Sequence, residues 1–102
     1  EGVKATIKSA KGEEVLEADI VLSAVGIKTN IENIGLEDVG IKTDRDKILV
    51  NGFYQTNVPG YYAIGDVTPG AALAHVASAE GILCVEKIAG MHVEPLDYGN
   101  IP

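Results

Sequence analysis

The sequence predicts a small α+β arrangement of a β-meander, a hairpin, one further strand and one long helix. Three observations predict it. Polar and apolar residues alternate near the start with the period of strands, and a polar tetrapeptide later separates two short apolar runs. An apolar segment from Leu73 to Ala89 is long enough for a helix and is followed by Gly90. With 102 residues, of which 46% are hydrophobic, the chain has the size of one small domain with a modest core.

Charge and cysteine content exclude several function classes. The chain has 15 acidic and 8 basic residues, a net charge of −7, and no cluster of Lys or Arg. A phosphate backbone would be repelled, so we expect no nucleic-acid partner. No apolar run is long enough to span a membrane and no signal peptide is evident, so we expect no membrane partner and a cytoplasmic protein. The single cysteine, Cys84, rules out a redox-active cysteine pair within the chain.

The first 26 residues predict a three-stranded meander. The stretch from Val3 to Ala10 alternates as a half-exposed strand does, and Lys11-Gly12 suits a tight turn. Residues Glu14 to Glu17 can return as a second strand. The mostly apolar run from Ala18 to Val25 predicts a third, more buried strand that ends at Gly26.

The middle of the chain predicts a short turn and then a hairpin. Asn30 can cap a helical turn over residues 31–34. Two short apolar runs, Ile41–Thr43 and Ile48–Val50, flank the polar tetrapeptide Asp44–Lys47, a sequence typical of a hairpin turn. We expect its charges to be solvated.

A lone carboxylate at a strand end is the main candidate for chemistry. Pro59-Gly60 leads into Tyr61–Ile64, a run short enough for a buried strand, and this run stops at Gly65-Asp66. In open α/β sheets, ligands bind outside the carboxyl ends of strands, near helix N-termini. Gly65 permits close approach of a ligand, and ionised Asp66 can accept hydrogen bonds from the hydroxyls of a sugar or ribitol. The alternative is that Asp66 merely ends the strand and supports the next turn.

The predicted helix is unusually apolar around its circumference. Only Glu80, Glu86 and Lys87 are charged within it, so it requires burial on several sides. The pattern therefore predicts a piece of a longer protein, which would self-associate when isolated. Cys84 is expected to be a buried, inert thiol. Glu80 could interact favourably with the positive charge of the helix N-terminus or simply face water.

Two linked motifs resemble a known family. The pattern T-x-x-P-x-x-Y-A-x-G-D resembles the closing FAD-binding segment of the flavin-dependent pyridine nucleotide-disulfide oxidoreductases. The following pattern L-A-H-x-A-x-x-E-G is most similar to the dihydrolipoamide dehydrogenase branch. The residues that carry the resemblance are Thr56, Pro59, Tyr62, Ala63, Gly65 and Asp66, then Leu73, Ala74, His75, Ala77, Glu80 and Gly81.

The resemblance implies a fold, cofactors and domain boundaries. The parent protein, meaning the longer protein to which this segment would belong, would be α/β with two Rossmann-like domains for FAD and NAD(P). Residues 1–26 would end the NAD-binding domain, 27–93 would close the FAD-binding domain, and 94–102 would begin the crossover to a dimerisation domain. The implied FAD contacts are the side chain of Asp66 and the backbone of Ala72, Leu73, Ala74 and His75.

Gly26 is the implied NAD contact, because it matches the glycine of a G-R-x-P-N signature. This sequence keeps Gly26 and Asn30 but has Ile27 for the arginine and Thr29 for the proline, so further contacts do not follow. A turn glycine is the alternative. The side chain of His75 is expected to pack rather than to catalyse, and His92 has no evident metal partners. We expect neither a catalytic residue nor a metal site in the chain.

The implied function belongs to the parent protein. It would oxidise dihydrolipoamide to lipoamide and reduce NAD through FAD and a cysteine pair outside this chain, as a homodimer that works with the lipoyl domain of a 2-oxo acid dehydrogenase complex. The isolated segment would not turn over. One alternative is another member of the superfamily, of the NADH oxidase, mercuric reductase or glutathione reductase type. The other is a self-contained, non-catalytic interaction module.

Overall fold

The computed structural model describes residues 2–101, so Glu1 and Pro102, which the predicted domain bounds include, lie outside it. Its first element is an antiparallel hairpin of β1 (Val3–Ser9) and β2 (Gly12–Ala18). The first two predicted strands are therefore confirmed. The turn lies at residues 10–11, one position earlier than predicted, because Gly12 already pairs with Ser9.

The two faces of this hairpin differ in character. One carries cross-strand ion pairs, Lys4–Glu17 at 3.3 Å and Lys8–Glu13 at 3.2 Å, which are exposed and therefore stabilise it little. The other presents Val3, Ile7 and Leu16, each almost half exposed. Among the described elements, none contacts this hairpin except through its own two strands. Its apolar face is left without a covering layer.

The predicted third strand, from Ala18 to Val25, is wrong for this chain. Apart from Ala18, which ends β2, these residues have no regular structure, and Leu22 and Val25 are 86% and 90% exposed. A buried strand needs a neighbour at its edge and apolar layers on its faces. Within residues 2–101 neither lies beside this run, and its composition alone does not make it a strand.

The segment around residues 32–40 forms turns, and no helix is found in this part of the described chain, contrary to the helical turn predicted at 31–34. The second predicted hairpin is confirmed as β3 (Thr43–Asp44) and β4 (Lys47–Ile48). Its turn has only two residues, and Arg45 adopts a left-handed φ of 55° there, as tight hairpin turns require.

Thr29 ties the segment before these turns to the hairpin. Its N–H donates to the Asp46 carboxylate at 3.0 Å, and its hydroxyl donates to the Asp46 carbonyl. Thr29 is buried. These bonds satisfy its polar groups and hold residues 29–31 against the core.

The core consists of two small clusters. One is formed by side chains from the connecting segments and the second hairpin, and the other joins helix α1 (Ala74–Ile88) to the turn around Tyr54 that follows β4. Their buried members are Ile31, Ile41, Ile48 and Ala63 in the first, and Tyr54, Leu83 and Cys84 in the second.

The predicted strand Tyr61–Ile64 is present only as an extended segment. Tyr62 forms an isolated bridge with Gln55, and the Ala63 N–H donates to the Tyr54 carbonyl at 3.0 Å. Ala63 alone of the four is buried. As with the first wrong strand, the neighbours of a sheet are missing within the described residues.

Helix α1 confirms the predicted helix to within one residue at each end. Gly90, with φ of 81°, ends it in a Schellman motif: its N–H donates to the Lys87 carbonyl at 3.1 Å, and the Met91 N–H donates to that of Glu86 at 3.0 Å. The helix buries one side only, since Ile82 and Val85 remain more than 60% exposed. No helix among residues 2–101 has the length and apolar character needed to cross a bilayer.

Candidate cofactor-binding site

Asp66 lies in the middle of a single 3-10 turn, Gly65–Val67, that follows the extended segment. Gly65 adopts φ of 73°, which turns the chain and leaves Asp66 exposed. Lys47 donates a hydrogen bond to the Asp66 carbonyl at 2.5 Å. Among residues 2–101, no hydrogen bond or ion pair engages the Asp66 carboxylate. The side chain is thus available to accept hydrogen bonds from a ligand.

The backbone of Gly65 is held from several directions. Its carbonyl accepts the N–H of Thr68 at 2.9 Å and the Thr68 hydroxyl at 2.8 Å, and its own N–H donates to the Glu80 carboxylate at 2.6 Å. Thr68 and Glu80 are both buried. The position from which Asp66 projects is therefore defined by short hydrogen bonds in a protected setting.

Helix α1 packs directly against this turn. A Cβ added to Gly65 would lie 3.3 Å from the Ala77 Cβ, and one added to Gly81 would lie 3.2 Å from the Ile64 Cδ1. Both glycines therefore allow the helix to approach the chain more closely than a larger residue would permit. This explains Gly81, which is otherwise unfavourable in a helix interior by about 1 kcal/mol.

The predicted backbone contacts, residues 72–75, are the approach to α1 and its first turn. All four are exposed. Leu73 is the N-cap and supplies no side-chain hydrogen bond to the first turn, so the helix N-terminus retains N–H groups and partial positive charge for another acceptor. Ala77, whose N–H donates to the Leu73 carbonyl at 3.0 Å, is also the residue beside Gly65. The structure thus brings the Asp66 turn and the start of α1 together.

The His75 side chain does not pack as the sequence analysis expected. His75 is exposed on the first turn of α1, because the buried stripe of the helix begins at the next residue, Val76. Gly26 lies on the irregular segment that leads from the first hairpin to the core, with φ of 73°. Its left-handed backbone fits either of the two predicted roles, a cofactor approach or a turn.

Cys84 and His92, the other reactive side chains, show no sign of a catalytic or metal-binding role within the described residues. Cys84 is buried, and burial raises the pKa of its thiol, which disfavours the reactive thiolate. His92 lies 3.2 Å from Glu94, both exposed. Within residues 2–101 no group of His, Cys, Asp and Glu is arranged to hold a metal ion.

Glu80 is the functional candidate that the sequence analysis missed. It does not face water: it is 1% exposed, and its Oε1 accepts the Tyr98 hydroxyl at 2.7 Å while Oε2 accepts the Gly65 N–H. The Tyr98 oxygen lies 3.0 Å from that of Tyr54. A signal existed, because Val76, Glu80, Leu83 and Cys84 share the i, i+4, i+7, i+8 spacing of one helical face.

These residues fit an FAD-type ligand. The exposed Asp66 carboxylate can accept hydrogen bonds from ribitol or ribose hydroxyls, and the uncapped start of α1 can donate N–H groups to carbonyl oxygens. The left-handed glycine before Asp66 gives a ligand close access to the backbone. Thr68 holds the turn through its bonds to the Gly65 carbonyl, and Tyr98 holds it indirectly through Glu80.

Comparison with known proteins places the chain in a family. A family model described as pyridine nucleotide-disulphide oxidoreductase matches residues 1–81. Dihydrolipoyl dehydrogenase from Rhizobium etli is 48% identical over 98% of this chain and 21% of its own length. Dihydrolipoyl dehydrogenase 1, mitochondrial, from Arabidopsis thaliana is 48% identical over 100% of this chain and 20% of its own length.

A solved structure has a similar fold. The crystal structure of LpdA from Mycobacterium tuberculosis matches 94% of this chain and 23% of its own, with a TM-score of 0.74 and 28% identity. The predicted fold class is confirmed: an α+β segment of the two-domain FAD/NAD(P)-binding fold. The chain spans about a fifth of the length of these relatives. The family uses FAD and NAD, as the sequence resemblance implied. This chain belongs to the pyridine nucleotide-disulfide oxidoreductase family.

Proposed function

We propose that the parent protein is a dihydrolipoyl dehydrogenase. It would oxidise dihydrolipoamide to lipoamide and reduce NAD through FAD and a cysteine pair outside this chain. The observation that carries the proposal is the 48% identity to proteins of that name over nearly the whole chain. It is supported by the exposed carboxylate of Asp66, held on a rigid turn beside the start of α1.

This segment would bind and orient the flavin rather than perform the chemistry. Asp66 would accept hydrogen bonds from cofactor hydroxyls. Backbone groups of residues 72–75 would lie against the pyrimidine edge of the ring, where negative charge accumulates when FAD takes up two electrons. The partial positive charge of the helix N-terminus there contributes about 0.3 to 1 kcal/mol in ordinary settings. Gly26 would approach NAD through its backbone.

The domain boundaries remain part of the proposal. Residues 1–26 would end the NAD-binding domain, 27–93 would close the FAD-binding domain, and 94–102 would begin the crossover to the dimerisation domain. The first boundary is supported by the hairpin β1–β2, which contacts no other described element. The parent would be a homodimer that receives electrons from the lipoyl domain of a 2-oxo acid dehydrogenase complex.

The acceptor and the compartment are also proposals. A relative from Vigna unguiculata, 46% identical over 100% of this chain and 20% of its own length, is named leghemoglobin reductase, so close relatives carry different substrate names. We keep NAD as the proposed acceptor. For the compartment we keep the cytoplasm, although the Arabidopsis relative is named as mitochondrial. A fluorescent fusion of the parent would report its location.

An independent interaction module is the weaker account. A self-contained module would cover its own apolar surface, but Ile82, Val85 and Ile88 form an exposed apolar stripe on α1. We therefore expect the isolated segment to self-associate and to be inactive with dihydrolipoamide and NAD. Sedimentation and an activity assay on the isolated chain test this, and a monomer of high solubility would favour the module.

The central experiment is flavin binding by the parent with Asp66→Ala. Loss of a hydrogen bond to a charged acceptor typically costs about 1.5 to 3 kcal/mol, so we expect the FAD Kd to rise roughly ten- to hundred-fold. Asp44→Ala is the matched control, because Asp44 is also an exposed aspartate and lies on β3. A colourless parent that takes up no FAD, or an Asp66→Ala protein with unchanged affinity, would overturn the proposed cofactor site.

A further inference from the structure

A buried network links Glu80 to two tyrosines from distant parts of the chain. Tyr54 precedes the extended segment, Glu80 lies in the middle of α1, and Tyr98 begins a short 3-10 turn, Tyr98–Asn100, in the segment after the helix. The Tyr98 hydroxyl donates to Glu80 Oε1 at 2.7 Å, and the Tyr54 and Tyr98 oxygens are 3.0 Å apart. The other carboxylate oxygen of Glu80 accepts the Gly65 N–H at 2.6 Å.

The direction of these hydrogen bonds follows from the groups. An ionised carboxylate can only accept, so the Tyr98 hydroxyl donates its hydrogen bond to Glu80, and the Tyr98 oxygen is left to accept one from Tyr54. Burial raises the pKa of Tyr54, and burial together with the hydrogen bond that Tyr98 donates to the Glu80 carboxylate raises that of Tyr98. Both hydroxyls therefore stay protonated at neutral pH, and the chain of donation from Tyr54 through Tyr98 to Glu80 is complete.

The network ends at the residue that sets the direction of Asp66. Gly65 has a left-handed φ of 73°, and a rotation of this residue would swing the Asp66 carboxylate away from its present position. The Gly65 N–H is fixed by a short, charge-assisted bond to Glu80, whose side chain is buried, and such bonds are strong where water is scarce. Glu80 is in turn fixed by Tyr98.

We propose that Glu80 is the positioning residue of the FAD site, acting through Gly65 on Asp66, and that Tyr98 makes this positioning depend on the docking of the segment after helix α1. Glu80 itself does not touch the cofactor. The segment that carries Tyr98 would lead into the next domain of the parent, so a correctly docked crossover would complete the flavin site. This inference rests on the proposed role of Asp66 in FAD binding.

Glu80→Gln tests the accepting role of the carboxylate, because glutamine keeps the shape of the side chain and removes its charge. Glu80 faces two donors, the Gly65 N–H and the Tyr98 hydroxyl, whereas a glutamine has one accepting oxygen and one donating amide. One contact must therefore be lost or reversed. Glu94→Gln is the matched control, since the Glu94 side chain is 82% exposed.

The test is a double-mutant cycle on FAD affinity, measured by titrating FAD into the flavin-depleted parent. We expect Glu80→Gln to raise the FAD Kd about ten- to hundred-fold. In the Asp66→Ala background the same change should raise the Kd by no more than about twofold, because the residue that it positions is gone. At saturating FAD, the visible circular dichroism of the bound flavin should differ between Glu80→Gln and the unmutated parent.

The outcomes separate this inference from the proposed function. If Asp66→Ala leaves the affinity unchanged, the proposed cofactor site fails. Suppose instead that Asp66→Ala weakens binding. If Glu80→Gln then raises the FAD Kd by the same factor with and without Asp66→Ala, or does not change the Kd at all, Glu80 is only a structural residue and the inference is overturned. If Glu80→Gln does not fold, the same cycle with Tyr98→Phe decides, since that change removes one donor to Glu80 and leaves the carboxylate in place.

Discussion

Gly65→Ala in the parent protein is the sharpest test of the packing at the candidate site. The residue combines two demands that a methyl group violates. Its φ of 73° lies in the left-handed region, which costs a non-glycine residue about 1 to 2 kcal/mol. In addition, the new Cβ would lie 3.3 Å from the Cβ of Ala77, and relieving such an overpacked contact costs about 1 kcal/mol or more.

Neither partner can move freely to relieve that contact. Ala77 is in the second turn of α1, whose middle is anchored in the core by Leu83 and Cys84. The turn at Gly65 is held by its N–H bond to Glu80 and by the two bonds from Thr68. We therefore expect the two costs to add, giving about 2 to 3 kcal/mol in total.

Gly60→Ala is the matched control. Gly60 has φ of 84°, and an added Cβ there would meet no atom within 4 Å. It carries the cost of the left-handed backbone without the contact. The difference between the two variants therefore removes the backbone cost and leaves the effect of the added Cβ at Gly65, which includes its contact with α1.

The assay is the temperature at which the parent releases FAD, followed by the increase in flavin fluorescence. For a folding unit of 150 to 250 residues, about 1 kcal/mol corresponds to roughly 2 to 4 °C. Gly65→Ala should release FAD at least about 2 °C below Gly60→Ala. Equal release temperatures would refute the reasoning, because the contact between the turn and α1 would then contribute nothing.

Two further predictions concern groups outside the turn. The Thr29 N–H holds the pKa of Asp46 below its usual range, so the stability that this bond adds is present above the ordinary aspartate pKa near 3.9 and is lost as pH falls through the lower folded value. Thermal unfolding of the parent should thus show Asp46→Asn destabilised at neutral pH and the deficit shrinking below about pH 4, whereas Asp44→Asn should show no such pattern; a deficit that is independent of pH would contradict this. Cys84 is buried and burial raises the pKa of its thiol, so Cys84→Ser should not change the number of thiols that react with Ellman's reagent in the native parent but should lower it by one in denaturant. A native thiol count that is lower by one in Cys84→Ser than in the unmutated parent would show that the Cys84 side chain is accessible.

Elements stabilised by nearby residues could be predicted from the sequence. The alternation from Val3 to Ser9 finds its partner strand only a turn away, and the hairpin at Arg45-Asp46 closes on adjacent residues. Helix α1 is bounded by a local glycine signal at Gly90. In each case the pattern and the stabilising contacts lie within the same short stretch.

The wrong strands have the opposite cause. The run from Ala18 to Val25 and the run Tyr61–Ile64 have strand composition, but composition only indicates that a segment suits a sheet. Whether a strand forms depends on neighbours. Apart from Ala18, which ends β2, these runs have only one isolated bridge within residues 2–101, between Tyr62 and Gln55. The sequence pattern could not report that the neighbouring strands are missing.

The sequence motif predicted the residues of the cofactor site, but it did not predict the hydrogen bonds that hold them in place. Asp66 and residues 72–75 stand out because they match a known pattern, while Glu80 has partners 15 and 18 residues away. Its place on the buried stripe of α1 was readable from the spacing of Val76, Leu83 and Cys84. A carboxylate on such a stripe must find donors, but their identity requires the tertiary structure.

The contacts that hold the Asp66 turn come from a short part of the chain. Thr68, Ala77 and Glu80 all lie within 15 residues of Gly65. The turn can therefore keep its geometry although the first hairpin and one side of α1 expose apolar surface. Substitutions of Thr68, Ala77 or Glu80 should weaken flavin binding more than they disturb distant regions, because the contacts of all three residues converge on Gly65. Tyr98 is the exception, since it brings a residue from beyond α1 to the same carboxylate, and for that reason it is the point at which the rest of the parent can influence the site.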